Sequence, residues 1–363
     1  MNSNVCVSLE TSQAPERAIH KRYQASIRKK ILVFVVLAVL LLVCAVADIA
    51  IGSGTLDISQ VCNGLIHPSQ VSPAIQVVLW EIRMPITLTA VVAGLGLAIS
   101  GSLMQTALAN QLAEPFTLGI SAAAGFGAAI AIVFQTSIIG LIGIPIEYVI
   151  MLNAFSFSLM TVLMIAFFAT RRDFSIEMIV MLGIAIHFIF SSLLGITQYI
   201  ADADQLQSLI FWSMGSLAKT NWTKVYINCA VVFLSLPIIF FHSWKISALR
   251  AFGDNAITFG IPVKRIRMLL LLLSALIAGC ITSTIGIVGF IGLVAPHVTK
   301  ILVGEDQRFA LIITALTGSV MMTMASILSK VIFPGVILPI GMVTSLIGVP
   351  FFLWLVINKK RGI

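Results

Sequence analysis

Charge is scarce in this chain: Asp, Glu, Lys and Arg make up only 10% of its 363 residues, against about 25% in soluble globular domains. With 59% of residues apolar, a water-soluble globule is excluded. A membrane β-barrel is excluded too, because the apolar runs are continuous rather than alternating. The five cysteines (Cys6, Cys44, Cys62, Cys229 and Cys280) show no metal-ligand spacing. Only Cys62 falls in a predicted external loop, which argues against a disulfide framework. No Gly-x-x-x-x-Gly-Lys-Ser/Thr phosphate loop occurs, and no glycine is followed by lysine. If nucleotide drives this protein, another chain must bind it. A proton-driven carrier would need buried carboxylates, yet Asp48, Glu147 and Glu177 all lie near predicted span ends. The net charge of +8 is spread over short loops, a distribution that gives no case for nucleic acid as a partner.

What is present is a series of apolar runs, most longer than the roughly 18–20 residues that carry a helix across a bilayer. The reading is an all-α polytopic membrane protein. A polar tail, residues 1–30, holds a basic cluster from Arg17 to Lys30 and precedes the wholly apolar stretch 31–47. Ala45-Val-Ala47 resembles a signal cleavage site, but the run exceeds a usual signal core, so a retained first span is expected. Further spans are predicted at about 86–108, 116–136, 147–169, 175–200, 223–241, 268–288, 309–331 and 339–357, with a short apolar piece at 290–303. A short aromatic interfacial helix around Phe211–Trp222 is expected before the sixth span.

Both ends are basic, so both are expected in the cytoplasm, which requires an even number of crossings. The piece 290–303 then becomes the tenth crossing, broken or partly buried in protein. That count leaves all but four of the 22 Lys and Arg (Arg83, Lys219, Lys224 and Lys330) on the cytoplasmic side. The domain reading is a cytoplasmic tail 1–30, a transmembrane domain 31–357 and a cytoplasmic tail 358–363.

The longest basic segment between spans runs from Lys245 to Arg267, with five Lys or Arg and one acid, Asp254. Gly253 and Gly260 open turns and Pro262 ends a helix, so the spacing predicts a short helix, a turn and a second short helix. Such a segment is either a solvated loop held inside by its charge or a rigid plug for a partner's groove. His187, in mid-span, is a candidate to bind solute or a proton, unless a neighbouring helix satisfies its ring. Ser191 and Ser192 are pathway candidates beside it, or else packing residues. Pro296 and His297 shape the broken eighth helix, and no second ligand is spaced to make His297 a metal site. No cofactor is expected.

Several segments together resemble the permease subunits of bacterial ABC importers for ferric siderophores, haem and vitamin B12, over residues 75–357. The anchors are Ser100-Gly101-Ser-Leu-Met-Gln105, Leu112-Ala113-Glu114-Pro115-Phe-Thr-Leu-Gly119 and Trp212-Ser-Met-Gly215-Ser216-Leu217. Further on come Gly253-Asp254 through Gly260, Gly289-Phe290-Ile-Gly292-Leu-Val-Ala-Pro296-His297, and Leu338-Pro339-Ile-Gly341 with Gly348-Val-Pro350. The resemblance implies a type II ABC importer permease of about ten transmembrane helices, in the bacterial inner membrane, paired around a central channel. It implies two cytoplasmic ATP-binding subunits, which hydrolyse the ATP, so that this chain is not itself an enzyme. It also implies an extracytoplasmic solute-binding protein.

Within 250–267, the residues Gly253, Asp254, Ala256, Gly260 and Pro262 match the coupling helices that dock on the ATPase. Asn110 and Leu112 resemble the cytoplasmic narrowing of the pathway. Arg83 and Lys330 are candidates to hold acidic side chains of the binding protein, steering its encounter. An iron chelate, most readily a ferric siderophore, is the expected cargo; haem, cobalamin or a molybdate-type oxyanion is the alternative. The family's Arg-x-Pro-Arg reads Arg83-Met-Pro85-Ile86 here, its Asn-Pro-Leu-Ala reads Asn110-Gln111-Leu112-Ala113, its late Asp and Arg pair appears as Ser326 and Lys330, and its external Glu is Ile337. These lost charges favour pairing with a second, different permease.

Overall fold

The computed structural model describes residues 13–52, 58–68, 71–136, 143–171, 175–304, 307–333 and 335–359. Residues 1–12 of the N-terminal tail, with Cys6, and residues 360–363 of the C-terminal tail lie outside the described residues. In chain order the helices are α1 (Gln13–Ala50), α2 (Ile58–Ile66), α3 (Pro73–Val77), α4 (Met84–Ala107), α5 (Ile120–Phe134), α6 (Ile146–Arg171) and α7 (Ile176–Ile200). They continue with α8 (Ala203–Ser213), α9 (Trp222–Phe241), α10 (Ser243–Phe252), α11 (Val263–Ile285), α12 (Ile291–Val303), α13 (Gln307–Val331) and α14 (Ile340–Lys359). Among the described residues there is no strand. Seven helices are long and apolar enough to cross a membrane, and the shorter apolar helices Ile120–Phe134, Ile291–Val303 and Ile340–Trp354 bring the total to ten. The chain is an all-α polytopic membrane protein.

Several spans differ from the sequence expectation: α1 is already helical from Gln13, within the expected tail, α11 begins at Val263 rather than 268, and two others differ for local chemical reasons. The second begins earlier than residue 86, because α3 runs through a π-helical turn, Val78–Arg83, directly into α4. In that wider turn the Met84 N–H bonds the Leu79 carbonyl, five residues back. The next residue is Pro85, which has no N–H to offer the Trp80 carbonyl. That carbonyl instead accepts the indole N–H of Trp222 at 3.0 Å, tying the start of α9 to the π-helical turn that leads into α4. The third span begins at Ile120 rather than 116, since Pro115–Leu118 forms a 3-10 turn closed by Gly119 in the left-handed region (φ 79°). The helix expected around Phe211–Trp222 does not form as such: α8 ends at Ser213, and residues 214–221 are non-helical up to the start of α9 at Trp222.

The core forms around α4, which packs against α9, α11, α12 and α13. Its glycines permit this. A Cβ at Gly94 would overlap the Gly318 backbone of α13, and one at Gly101 would overlap the Gly292 backbone of α12. Close backbone approach of this kind is how helices associate where lipid removes the hydrophobic drive. Hydroxyls add directional contacts. Ser100 Oγ donates to the Ser274 carbonyl at 2.8 Å and Ser274 Oγ returns the bond to Ser100 at 2.9 Å. Ser319 Oγ reaches the Val91 carbonyl at 2.9 Å. By contrast α1, α7 and α9 expose Val36, Leu42, Phe188, Ile196 and Leu234, as lipid-facing helices do.

Contacts at each end fix the direction of the helices. Asp48 meets Lys330 at one end, and the Lys30 ammonium lies 5.1 Å from the Phe309 ring centroid at the other, so α1 and α13 run parallel. Phe290 packs on Gly348 and His297 lies near Phe351, so α12 and α14 run parallel as well. The start of α1 and the end of α14 share the end that carries Asp254.

Candidate functional site: a surface knob and a central helix break

The stretch from α10 to α11 folds as a short, rigid knob. Ile246 and Leu249 bury one face of α10. Gly253 then takes φ 56°, ψ −130°, a conformation open essentially to glycine. Residues Gly253–Phe259 form the second short helix that the spacing predicts, as a 3-10 helix, and Gly260 closes it at φ 72°. The Gly260 N–H bonds the Ile257 carbonyl at 2.9 Å, and Thr258 Oγ1 bonds the Asn255 carbonyl at 2.7 Å.

Of the five residues predicted here to meet a motor subunit, Asp254, Gly260 and Pro262 are exposed, Gly253 is half-buried and Ala256 is fully buried. Ala256 and Ile261 therefore anchor the knob. What projects is apolar: Phe252, Ile257 and Phe259 are all more than half exposed, with the two rings 4.8 Å apart. Lys264 and Arg265 are exposed beside them. Arg267 turns inward, 3% exposed, and its Nη1 lies 3.0 Å from Asp254 Oδ1.

At mid-bundle four interruptions meet. The Ser216 N–H bonds the Ile285 carbonyl at 2.7 Å, at the end of α11. The Ile340 and Gly341 N–H groups, at the start of α14, bond the Gly215 and Met214 carbonyls at 3.0 and 3.1 Å. Broken helices at membrane depth survive only where such partners exist. The fourth partner is the connection from α4 to α5. Glu114, buried, caps its own turn through Thr117 and accepts the Phe290 N–H on Oε2 at 3.3 Å. Phe290 itself sits at φ 69°, one residue before α12. A carboxylate at this helix start is favoured by the helix dipole and by the free N–H groups. Glu114 also lines a small cavity with Ser121, Thr282 and Gly292.

The predicted pathway residues divide. Asn110 is exposed, its Oδ1 accepting the Leu112 N–H at 2.9 Å, and Leu112 is half-buried. His187 packs against the Gly119 backbone, with its Nε2 3.5 Å from Ser191 Oγ and its ring 6.1 Å from Phe116. The His187 Nδ1 is buried with no hydrogen-bond partner. Ser192 is exposed and stands apart from this group.

Arg83 and Lys330 are not at an exposed rim. Arg83, 4% exposed, donates from Nη1 to the Ile49 and Ala50 carbonyls, both at 2.8 Å. Lys330 pairs with Asp48 Oδ1 at 2.7 Å, while Thr87 Oγ1 donates to Asp48 Oδ2 at 2.6 Å. Both cations hold the end of α1 inside the chain. Sequence reasoning passed over Asp48 and Glu114 as buried acids and Arg267 as a buried base. Arg267 could have been found: Val263, Ile266, Arg267 and Leu270 share one helical face, which Lys264 and Arg265 do not. Among the described residues no group of three or more His, Cys, Asp or Glu is placed to hold a metal ion.

A model of the FecCD transport family matches residues 40–358. The chain belongs to the FecCD transport family. This FecCD permease is 32% identical to the molybdate import system permease protein MolB of Haemophilus influenzae, over 90% of this chain and 95% of the relative. It is 30% identical to the hemin transport system permease protein HmuU of Yersinia pestis, again over 90% and 95%. A solved structure of a metal-chelate type ABC transporter in an inward-facing conformation shares 29% identity and a TM-score of 0.78, over 90% of this chain and 98% of that one. The FecCD chain is thus an ABC importer permease of the type II fold, a class that works with ATP-binding subunits and a binding protein.

Proposed function

We propose that this permease carries an iron chelate, a ferric siderophore, from an extracytoplasmic solute-binding protein into the bacterial cytoplasm. The knob at 250–267 is its power inlet: one of the two ATP-binding subunits docks there and the other docks on the paired permease, so the Asp254 end of the bundle and both termini face the cytoplasm. The observation that carries the docking assignment is the exposed trio Phe252, Ile257 and Phe259 on a turn locked by Gly253 and Gly260. An apolar tip with a basic rim is what an interface hot spot requires. For the cargo, support comes from the hemin relative and the metal-chelate structure. The use of Arg83 and Lys330 within the chain leaves this copy fewer cations for a docking face, which favours pairing with a second, different permease.

The molybdate relative is a specific counterweight, and it sets the test. The permease, its partner subunits and its binding protein are reconstituted in vesicles with ATP inside. Radiolabelled ferric siderophore and radiolabelled molybdate are then offered separately. ATP-dependent uptake of the siderophore alone supports the proposal; uptake of molybdate alone overturns the cargo. Uptake of either driven by a proton gradient without ATP overturns the motor as well.

A further inference from the structure

We propose that Arg267 is a positioning residue for coupling, a strut that fixes the knob to α11 through Asp254. This rests on the reading of 250–267 as the ATPase-docking element. Asp254 is 70% exposed and Arg267 only 4% by side chain, so the bond joins the surface of the knob to the interior of the bundle. Arg267 cannot itself touch a partner. Its Nε is buried with no hydrogen-bond partner, and its Nη1 is held by the ion pair with Asp254.

The knob is otherwise joined to α11 through Gly260 and Pro262, a left-handed glycine and a residue with no N–H, and through the buried Ala256 and Ile261. Apolar contacts of that kind allow sliding; pulling the Asp254 carboxylate away would leave a buried guanidinium charge unpaired, and that opposes movement of the knob against α11. Beyond Arg267, α11 runs as an unbroken helix to Ile285, bonded to α4 at Ser274 and ending at the central break. At about 1.5 Å per residue its 23 residues reach roughly 34 Å. A push on the knob therefore travels to the break only as faithfully as the strut holds the two together.

The test uses the full importer in vesicles and reads cargo moved per ATP hydrolysed. Arg267→Gln should keep the ATP-binding subunits bound yet lower that ratio by at least about fivefold, the lower edge of ordinary site-to-site coupling. Asp254→Asn with Arg267→Gln should be no worse than Arg267→Gln alone, because the two residues act through one bond. Asp254→Glu should keep the ratio, and the exposed substitution Asp254→Asn, which should lower it, stands in if Arg267→Gln fails to fold. A normal ratio in both Arg267→Gln and Asp254→Asn overturns the strut. So does loss of subunit binding in Asp254→Asn but not in Arg267→Gln, since Asp254 would then be a docking contact. Ile257→Asp separates the underlying reading: if subunits still bind it and transport proceeds, the docking element lies elsewhere.

Discussion

Lys330→Met should loosen the end of α1, and the size of the effect follows from burial. The Lys330 side chain is 7% exposed and Asp48 is fully buried. Removing the ammonium leaves Asp48 with the Thr87 hydroxyl at 2.6 Å and an uncompensated charge in the bundle. Breaking a buried ion pair from one side costs about 3–5 kcal/mol, whereas replacing the whole pair with uncharged groups is often near neutral. The surviving Thr87 bond points to the low end, about 3 kcal/mol, or a roughly 100-fold rise in the detached population. Asp48→Asn with Lys330→Met should return to within about 1 kcal/mol of the parent, because no charge is left unpaired. Cys44, 8% exposed and four residues before Asp48, is a built-in reporter. With Cys6 and Cys62 changed to Ser, maleimide labelling of Cys44 in detergent should rise steeply in Lys330→Met and fall back in the double variant. Equal labelling of the single and double variants would refute the reasoning. So would an unchanged Cys44 together with weakened binding-protein affinity, which would return Lys330 to an external docking role.

Other substitutions test the packing and the break. Gly101→Ala forces a methyl into the Gly292 backbone; overpacking of this kind costs about 1–3 kcal/mol, and the thermal midpoint of the purified permease should drop accordingly. Glu114→Ala strips the acceptor from the half-buried Phe290 N–H, a loss of about 1 kcal/mol, whereas Glu114→Gln keeps an acceptor and should lose markedly less; equal midpoints for the two would refute the cap. At Gly260 an added Cβ meets open space, so Gly260→Ala is opposed only by its φ of 72°. The left-handed conformation costs about 1–2 kcal/mol, and cargo moved per ATP should fall while membrane insertion is unaffected.

Much of the architecture was legible in the sequence because membrane helices obey two coarse rules, span length and charge bias. Those rules give ten crossings, including the short Ile291–Val303, and they place the Asp254 end opposite the Arg83 end. They fail where a residue's partner lies far away in the chain. Arg83 and Lys330 look like rim cations until Asp48, 282 residues before Lys330, folds beside them. Glu114 looks like a turn residue until Phe290, 176 positions later, points its N–H at it. The Glu114-Pro115-Phe-Thr117 pattern holds a local signal for a helical start, a capping acid followed by proline, which the span-length rule does not use. What it caps besides its own turn is a tertiary fact. The knob was half legible: Gly253 and Gly260 marked its limits, but only packing reveals that Ala256 faces inward while Ile257 faces out.

The placement of polar groups separates the parts of this permease built to hold from those built to change. Where α4 meets α11 and α13, glycines and reciprocal serine bonds lock continuous helices together, and displacement there would break several contacts at once. At the central break, each helix end is held by one or two backbone bonds or by the single Glu114 carboxylate. Bonds of this kind can be exchanged one for another, because neighbouring N–H and C=O groups offer alternative partners at little enthalpic cost. A helix that ends at the break and begins at the knob is therefore stiff along its length and replaceable at its tip. A chain that moves cargo by alternating conformations needs that combination in α11, since a flexible rod would absorb the push and a fully bonded tip would not yield to it.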